Sequence, residues 1–216
     1  MLGFAKRRGY EKGDTLIEVL FAVTVFASIV VVALSLMNQG VANAQRSLEI
    51  TTVRQQMDGQ AETLRFLHEA YIQAYQPGIT YNVTDGVTSP AEEYYKLVNF
   101  IRVGNRVAAS PFNSTAACTI PSSTARDFIL NPITATYETN ATKANVFQKA
   151  ATFSQLTYER SNALAQSQGM WVEAVRVGSG TAPGYIDFHI RACWDVIGSD
   201  VPMNLGTIVR LYEPRG

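Results

Sequence analysis

Residues 12–46 read KGDTLIEVLFAVTVFASIVVVALSLMNQGVANAQR, and this segment determines the architecture of the chain. Between Lys12 and Arg46 the only charged residues are Asp14 and Glu18. The nineteen residues from Val19 to Met37 are apolar except for one threonine and two serines. At a rise of about 1.5 Å per residue, a helix of that length spans about 28 Å, close to the ~30 Å core of a bilayer. The segment therefore predicts a membrane-spanning helix.

Basic residues precede this helix and predict its orientation. Lys6, Arg7, Arg8 and Lys12 all lie upstream of the apolar run. Positively charged flanks stay on the cytoplasmic side of a membrane. We therefore expect a single-pass protein of the cell membrane, with a cytoplasmic N-terminus and the rest of the chain outside.

Glu18 is unusual because it lies at the start of the apolar run. A carboxylate inside a membrane span costs about 2–3 kcal/mol at the centre and less near the interface. In a simple membrane anchor nothing offsets this cost. In a helix that meets a positively charged partner, pairing of the carboxylate offsets it.

The residues Gly13-Asp14-Thr15-Leu16-Ile17-Glu18-Val19 resemble the processing site of type IV prepilins and pseudopilins. In that family a short basic leader ends in glycine and is followed by a Thr-Leu-Ile-Glu stretch and a long apolar helix. The resemblance implies cleavage after Gly13 by the prepilin peptidase, with Thr15, Leu16 and Ile17 in the recognition segment. It also implies that Glu18 pairs with the free amine of a neighbouring subunit and sets the axial register.

The same resemblance implies a function and a set of partners. The chain is expected to be a structural subunit of a type IV pilus or of a related secretion or competence filament, extracellular once assembled. Its partners would be other pilin subunits, the prepilin peptidase, an assembly platform in the inner membrane and the lipid bilayer. Asp14 departs from the family pattern, which usually places Phe or Met directly after the cut. This departure counts against N-methylation and favours a minor pilin over the bulk subunit.

Other interpretations of the N-terminal segment stay open. It resembles an uncleaved signal anchor, or a secretory signal cut near Ala42-Asn43-Ala44, although a cleaved signal needs a shorter apolar core. The alternative function is a single-pass, membrane-anchored extracytoplasmic binding protein that does not polymerise. A third possibility is an anchored extracellular enzyme.

The composition of the chain narrows the range of activities that we expect of it. The 216 residues include 18 basic and 18 acidic side chains, which argues against broad phosphate neutralisation. Nucleic acid is therefore expected only as an occasional filament ligand. No nucleophile motif, phosphate-binding loop or His-Glu metal signature is present, and neither His68 nor His189 has ligand-like neighbours. We predict no enzyme activity, no cofactor and no metal.

The two cysteines, Cys118 and Cys193, lie downstream of the span and therefore on the outer side. In an oxidising compartment an isolated pair most often forms a disulfide. Two unrelated buried thiols are the alternative.

Patterning divides the chain into a leader (1–13), a transmembrane or filament-core helix (14–44), an amphipathic continuation of that helix (45–76) and an extracytoplasmic globular head (77–216). No proline occurs before Pro77, so one helix of about sixty residues is the simplest prediction. Two helices joined near Gly40 are the alternative. The continuation carries an apolar stripe at helical spacing: Leu48, Val53, Met57, Ala61, Leu64, Leu67 and Tyr71.

The sequence of the head predicts an α+β fold, which also resembles the α+β head of pilins. Ser89-Pro90-Ala91-Glu92 is a capping box, which predicts a helix from 90 to about 102. A loop is expected over 105–125, a short strand at 128–130 and another helix over 144–168. The last third predicts an antiparallel three-stranded meander of Gly169–Val177, Tyr185–Val196 and Thr207–Tyr212.

The middle strand of that meander has two unlike faces. Its alternate residues Ile186, Phe188, Ile190, Ala192 and Trp194 are expected to share one face, pressed on the lower half of the long helix. Cys193 would then lie on the opposite face, where a disulfide to Cys118 clips the preceding loop across the sheet.

Overall fold

The computed structural model describes residues 14–76, 89–102, 118–121, 127–177, 184–196 and 201–214. The described residues fall into two compact units that divide between Leu48 and Glu49. The fold is α+β, with a long N-terminal helix and a C-terminal antiparallel sheet, as predicted. The finer boundaries expected for the leader, the two helix halves and the head stay predictions.

Helix α1 runs from Asp14 to Ala74 and contains 61 residues. It continues through Gly40 and Gly59, which confirms one helix instead of two. A Cβ atom added at Gly40 would meet nothing within 4 Å, so this glycine is not required by packing. The helix ends shortly before Pro77, as expected because proline disfavours the helical conformation in the residue before it.

The C-terminal part of α1 contributes one face to the core of the second unit. Val53, Met57, Ala61, Leu64 and Leu67 are all at most 4% exposed. Their spacing of three and four residues places them on one side of the helix. The predicted stripe is therefore confirmed from Val53 onward. Its first member, Leu48, is 68% exposed instead.

Helix α2 spans Pro90–Arg102 and begins with the predicted capping box. The Ser89 amide donates to Glu92 Oε2 at 3.0 Å, and the Glu92 amide donates to Ser89 Oγ at 3.3 Å. These reciprocal bonds satisfy amides that a helix start leaves without an intrahelical acceptor. Tyr94 and Leu97 bury the inner face of α2 in the core.

Two small strands follow. Strand β1 (Ile129–Asn131) pairs antiparallel with β2 (Thr136–Glu138), which confirms the expected short strand one residue later than predicted. Of the loop expected over 105–125, only residues 118–121 belong to the described part of the chain.

The helix predicted over 144–168 is wrong. This segment forms β3 (Phe147–Gln148), β4 (Gln155–Tyr158) and β5 (Leu164–Gln168), in the order β3-β5-β4. Strand β3 is parallel to β5, whereas β4 is antiparallel to it. Absence of Pro and Gly had favoured a helix. Asn145 and Asn162 supply the turns instead, with φ angles of 60° and 64°, a left-handed conformation that asparagine tolerates better than most residues.

The C-terminal meander is confirmed. Strands β6 (Met170–Val177), β7 (Tyr185–Trp194) and β8 (Met203–Tyr212) form one antiparallel sheet in that order. Strand β8 begins at Met203, earlier than the predicted Thr207.

The two faces of β7 are also as expected. The five alternate residues are at most 1% exposed, and they share one hydrophobic core with α1: Ile186, Phe188, Ile190, Ala192 and Trp194. Cys193 lies on the opposite face, because successive side chains of a strand alternate.

Candidate functional site

The first unit exposes an entire apolar helix. All residues from Leu16 to Leu48 are exposed, and Phe21, Phe26 and Met37 each keep at least 67% of their surface accessible. Monomeric soluble proteins rarely expose contiguous apolar patches of more than a few hundred Å². Among the described residues this is the one helix long and apolar enough to cross a membrane. The helix is therefore compatible with a membrane-spanning segment.

Two hydroxyl groups of the apolar segment are satisfied within the helix. Thr24 Oγ1 donates to the Phe21 carbonyl and Ser28 Oγ donates to the Thr24 carbonyl, both at 2.8 Å. An unpaired hydroxyl would be costly in hydrocarbon. These bonds make the helix compatible with an apolar surrounding on every side.

A shallow groove of about 390 Å³ runs along the helix, lined by Ser28, Ile29, Val32, Ala33 and Leu36. Small residues such as Ser28 and Ala33 allow a neighbouring helix to approach closely. The groove is almost wholly apolar, so an apolar side chain or a lipid chain fits it.

The predicted processing and register residues lie at the start of this helix. Gly13 is outside the described residues, and Asp14 is the first residue of α1. Side-chain positions are described from Leu16 onward, where Leu16, Ile17 and Glu18 are all exposed. No described residue forms an ion pair with Glu18. The Glu18 side chain is therefore exposed on the helix surface.

The predicted disulfide is present in the second unit. Cys118 and Cys193 are bonded, with their Cα atoms 5.6 Å apart. The disulfide joins the only two cysteines of the sequence, which lie 75 positions apart. It fixes the segment 118–121 to the outer face of β7, as expected.

A buried polar cluster on that face was missed by the sequence analysis. Asp127, Glu173 and Arg191 are each at most 7% exposed. Arg191 Nη2 lies 3.1 Å from Glu173 Oε2, and Trp171 Nε1 donates to Glu173 Oε1 at 3.0 Å. The sequence analysis assigned only Cys193 to this face of β7. No sequence signal marked Asp127 as buried.

Burial changes the acidity of this cluster. Desolvation, followed by the negative charge of Glu173, raises the pKa of Asp127 from 3.8 to about 7, against the opposing effect of Arg191. By contrast, the bidentate bonds from Arg210 lower the pKa of Asp187 on the same sheet. Only the Asp127 cluster therefore combines burial, like charge and a pKa near neutrality among these groups.

The second unit offers little for metal chemistry. No group of three His, Cys, Asp or Glu side chains within the described ranges could hold a metal ion. An open groove of about 480 Å³ lies between the second half of α1 and the β1–β2 turn, with Glu62, Phe66 and Ile133 among its lining residues. It contains one carboxylate and no histidine or cysteine. The predictions on enzyme activity and cofactors stay predictions.

Comparison of the chain with protein-family models, with curated proteins and with solved structures finds no match. Functional inference therefore depends on the residues themselves.

Proposed function

We propose that this chain is a structural subunit, a minor pilin or pseudopilin, of a type IV pilus or a related secretion or competence filament. The observation that carries the proposal is the fully exposed apolar surface of residues 16–48, with a carboxylate at its start. Lipid covers this surface before assembly. Neighbouring helices cover it in the polymer.

Glu18 gives such assembly a register. In a helix bundle of low dielectric constant, a carboxylate without a partner is penalised, and pairing it with an amine removes the penalty. The resemblance of residues 13–19 to prepilin processing sites supplies that amine, namely the N-terminus that cleavage after Gly13 creates on a neighbour. Only one axial offset between two helices brings the two charges together.

The groove at Ser28 and Ala33 supports the same mode of packing. Interfaces between membrane helices favour small residues because van der Waals contact, rather than the hydrophobic effect, drives association there. The second unit, held together by its own core and disulfide, would be displayed on the filament surface.

The proposal is tested first by processing. Gly13→Leu should leave the full-length chain, because a branched side chain blocks the peptidase site, whereas wild type should lose its first 13 residues. Intact mass of the membrane-extracted protein, from cells containing prepilin peptidase, measures the outcome. Gly9→Ala, in the same leader, is the matched control and should be processed normally. A full-length wild-type chain, or loss of the first 13 residues in Gly13→Leu as well, would contradict the proposal.

One other function fits the exposed helix, because a plain membrane anchor has the same surface. On that alternative the second unit is a tethered binding protein that never polymerises. It gives no role to Glu18, so the effect of removing that carboxylate separates the two functions.

A further inference from the structure

Phe128, directly before β1, forms an isolated antiparallel bridge with Val172 of β6 beside the buried cluster; Phe128 and β1 together are called the Phe128 strand. Phe128 and Val172 exchange two backbone hydrogen bonds, of 3.1 and 2.7 Å, across the outer edge of β6. In this antiparallel register Asp127 lies opposite Glu173, one position beyond the bridge. The strand start is therefore bonded to the sheet directly beside two facing carboxylates.

The charges of this cluster do not balance when both acids are ionised. Glu173 is bonded by Trp171 and lies 3.1 Å from Arg191, whereas none of the described residues donates a hydrogen bond to Asp127 Oδ1. Like charges directly opposite each other on neighbouring strands are destabilising, more so when buried. One guanidinium then faces two carboxylates.

Within the described part of the chain, the other elements packed here add little compensating charge. Strand β7 contributes Arg191 and, opposite Glu173, His189. The segment 118–121 contributes no titratable side chain, because Cys118 is in the disulfide. A proton on Asp127 is the simplest way to remove the excess negative charge.

We propose that Asp127, Glu173 and Arg191 form a proton-operated latch: protonated Asp127 holds the Phe128 strand on the edge of β6, and loss of the proton loosens it. The latch is independent of the filament function. The ligand that controls the latch is the proton. The effect of the latch is to expose the β6 edge and the buried Phe128 side chain more often as the pH rises from mild acid to neutrality.

Linkage fixes the direction and the pH range. Asp127 holds its proton in the closed state up to about pH 7, and in the open state it returns to its usual pKa of 3.8. The closed state is thus favoured fully below the open-state pKa, and the advantage is lost as the pH rises through the closed-state value. The opening constant should rise about tenfold per pH unit between about pH 5 and pH 7 and become level above about pH 7.5.

The test is hydrogen exchange of the full-length chain in detergent micelles, followed by mass spectrometry and corrected for intrinsic exchange. In wild type, the protection of the Phe128 and Val172 amides should fall with pH as described. Asp127→Asn should remove the dependence. Asp195→Asn, an exposed acid paired with Lys149, and His189→Gln should both keep it. A flat wild-type profile, or the same slope in Asp127→Asn, would overturn the proposal.

Glu173→Gln provides a second arm that does not alter Asp127. With one acid facing Arg191, the proton should leave Asp127 at a lower pH, so the level region of the profile should begin at a lower pH than in wild type. An unchanged pH profile in this variant would also contradict the latch.

Discussion

At the scale of single residues, Glu18 is the group that most separates a filament subunit from an anchor. Its carboxylate lies at the start of a largely apolar segment, residues 19–37, that spans about five turns of helix. A side chain so placed costs free energy in lipid and regains it only by pairing. On the proposed function, the Glu18 carboxylate is therefore favourable only in the assembled filament.

Glu18→Ala should leave membrane insertion intact and reduce incorporation into filaments about tenfold or more, because the neighbour's amine would be buried without a partner. Immunoblots of membrane and sheared-filament fractions measure both quantities. Asp58→Ala removes an exposed acid from the same helix and should leave both unchanged. Normal filament recovery of the Glu18 variant would contradict the proposed register.

The side chain of Gln60 in α1 forms two hydrogen bonds to the backbone of β1. Gln60 Nε2 donates to the Leu130 carbonyl at 2.7 Å, and the Leu130 amide donates to Gln60 Oε1 at 2.9 Å. Both ends are buried, so removing the amide leaves two backbone groups without partners.

Gln60→Ala should lower the free energy of unfolding by roughly 2–4 kcal/mol, since two buried backbone groups lose their bonds and a small cavity opens. Gln55→Ala, on the exposed side of the helix, should change it by less than about 0.5 kcal/mol. Urea unfolding in detergent, followed by tryptophan fluorescence, reports the difference. Equal midpoints for the two variants would show that this amide does not hold the strand.

At the scale of elements, the two parts of α1 were both predictable because each has a strong periodic signal. Residues 19–37 are almost uniformly apolar, and the stripe from Val53 to Leu67 repeats at helical spacing. The meander was predictable for the same reason, since β7 alternates along its length. Helix α2 was predictable because Ser89 and Glu92 form a capping box at its start.

The elements that were not predicted lack such signals. Strands β3 to β5 have two to five residues each, too short for a period to be recognised. Their turns depend on asparagines at positive φ, which a search for Pro and Gly does not find. Asp127 was missed because burial of an acid depends on what the tertiary fold brings over it, not on its own neighbours in sequence.

At the scale of the whole molecule, the disulfide covalently links two distant segments of the second unit. It links residues 75 positions apart. In the chain-entropy model a closed loop of that length stabilises the folded state by about 4 kcal/mol, mainly by restricting the unfolded chain.

Replacing Cys118 and Cys193 together by serine should therefore lower the free energy of unfolding by about 4 kcal/mol. Urea unfolding with and without dithiothreitol provides the control. Reductant should lower the wild-type midpoint toward that of the double variant and leave the variant unchanged. A wild-type midpoint that is insensitive to full reduction would show that the crosslink does not stabilise the fold.

The proposed filament subunit combines an apolar helix, a charged residue at the start of that helix, and a separately folded unit carried on the outside. The proposal is tested most directly by the intact mass of the chain in extracellular filaments sheared from cells that express it. We predict that the chain in that fraction begins at Asp14. Recovery of the chain only from membranes, with Met1 or another residue at its N-terminus, would contradict assembly through a processed helix.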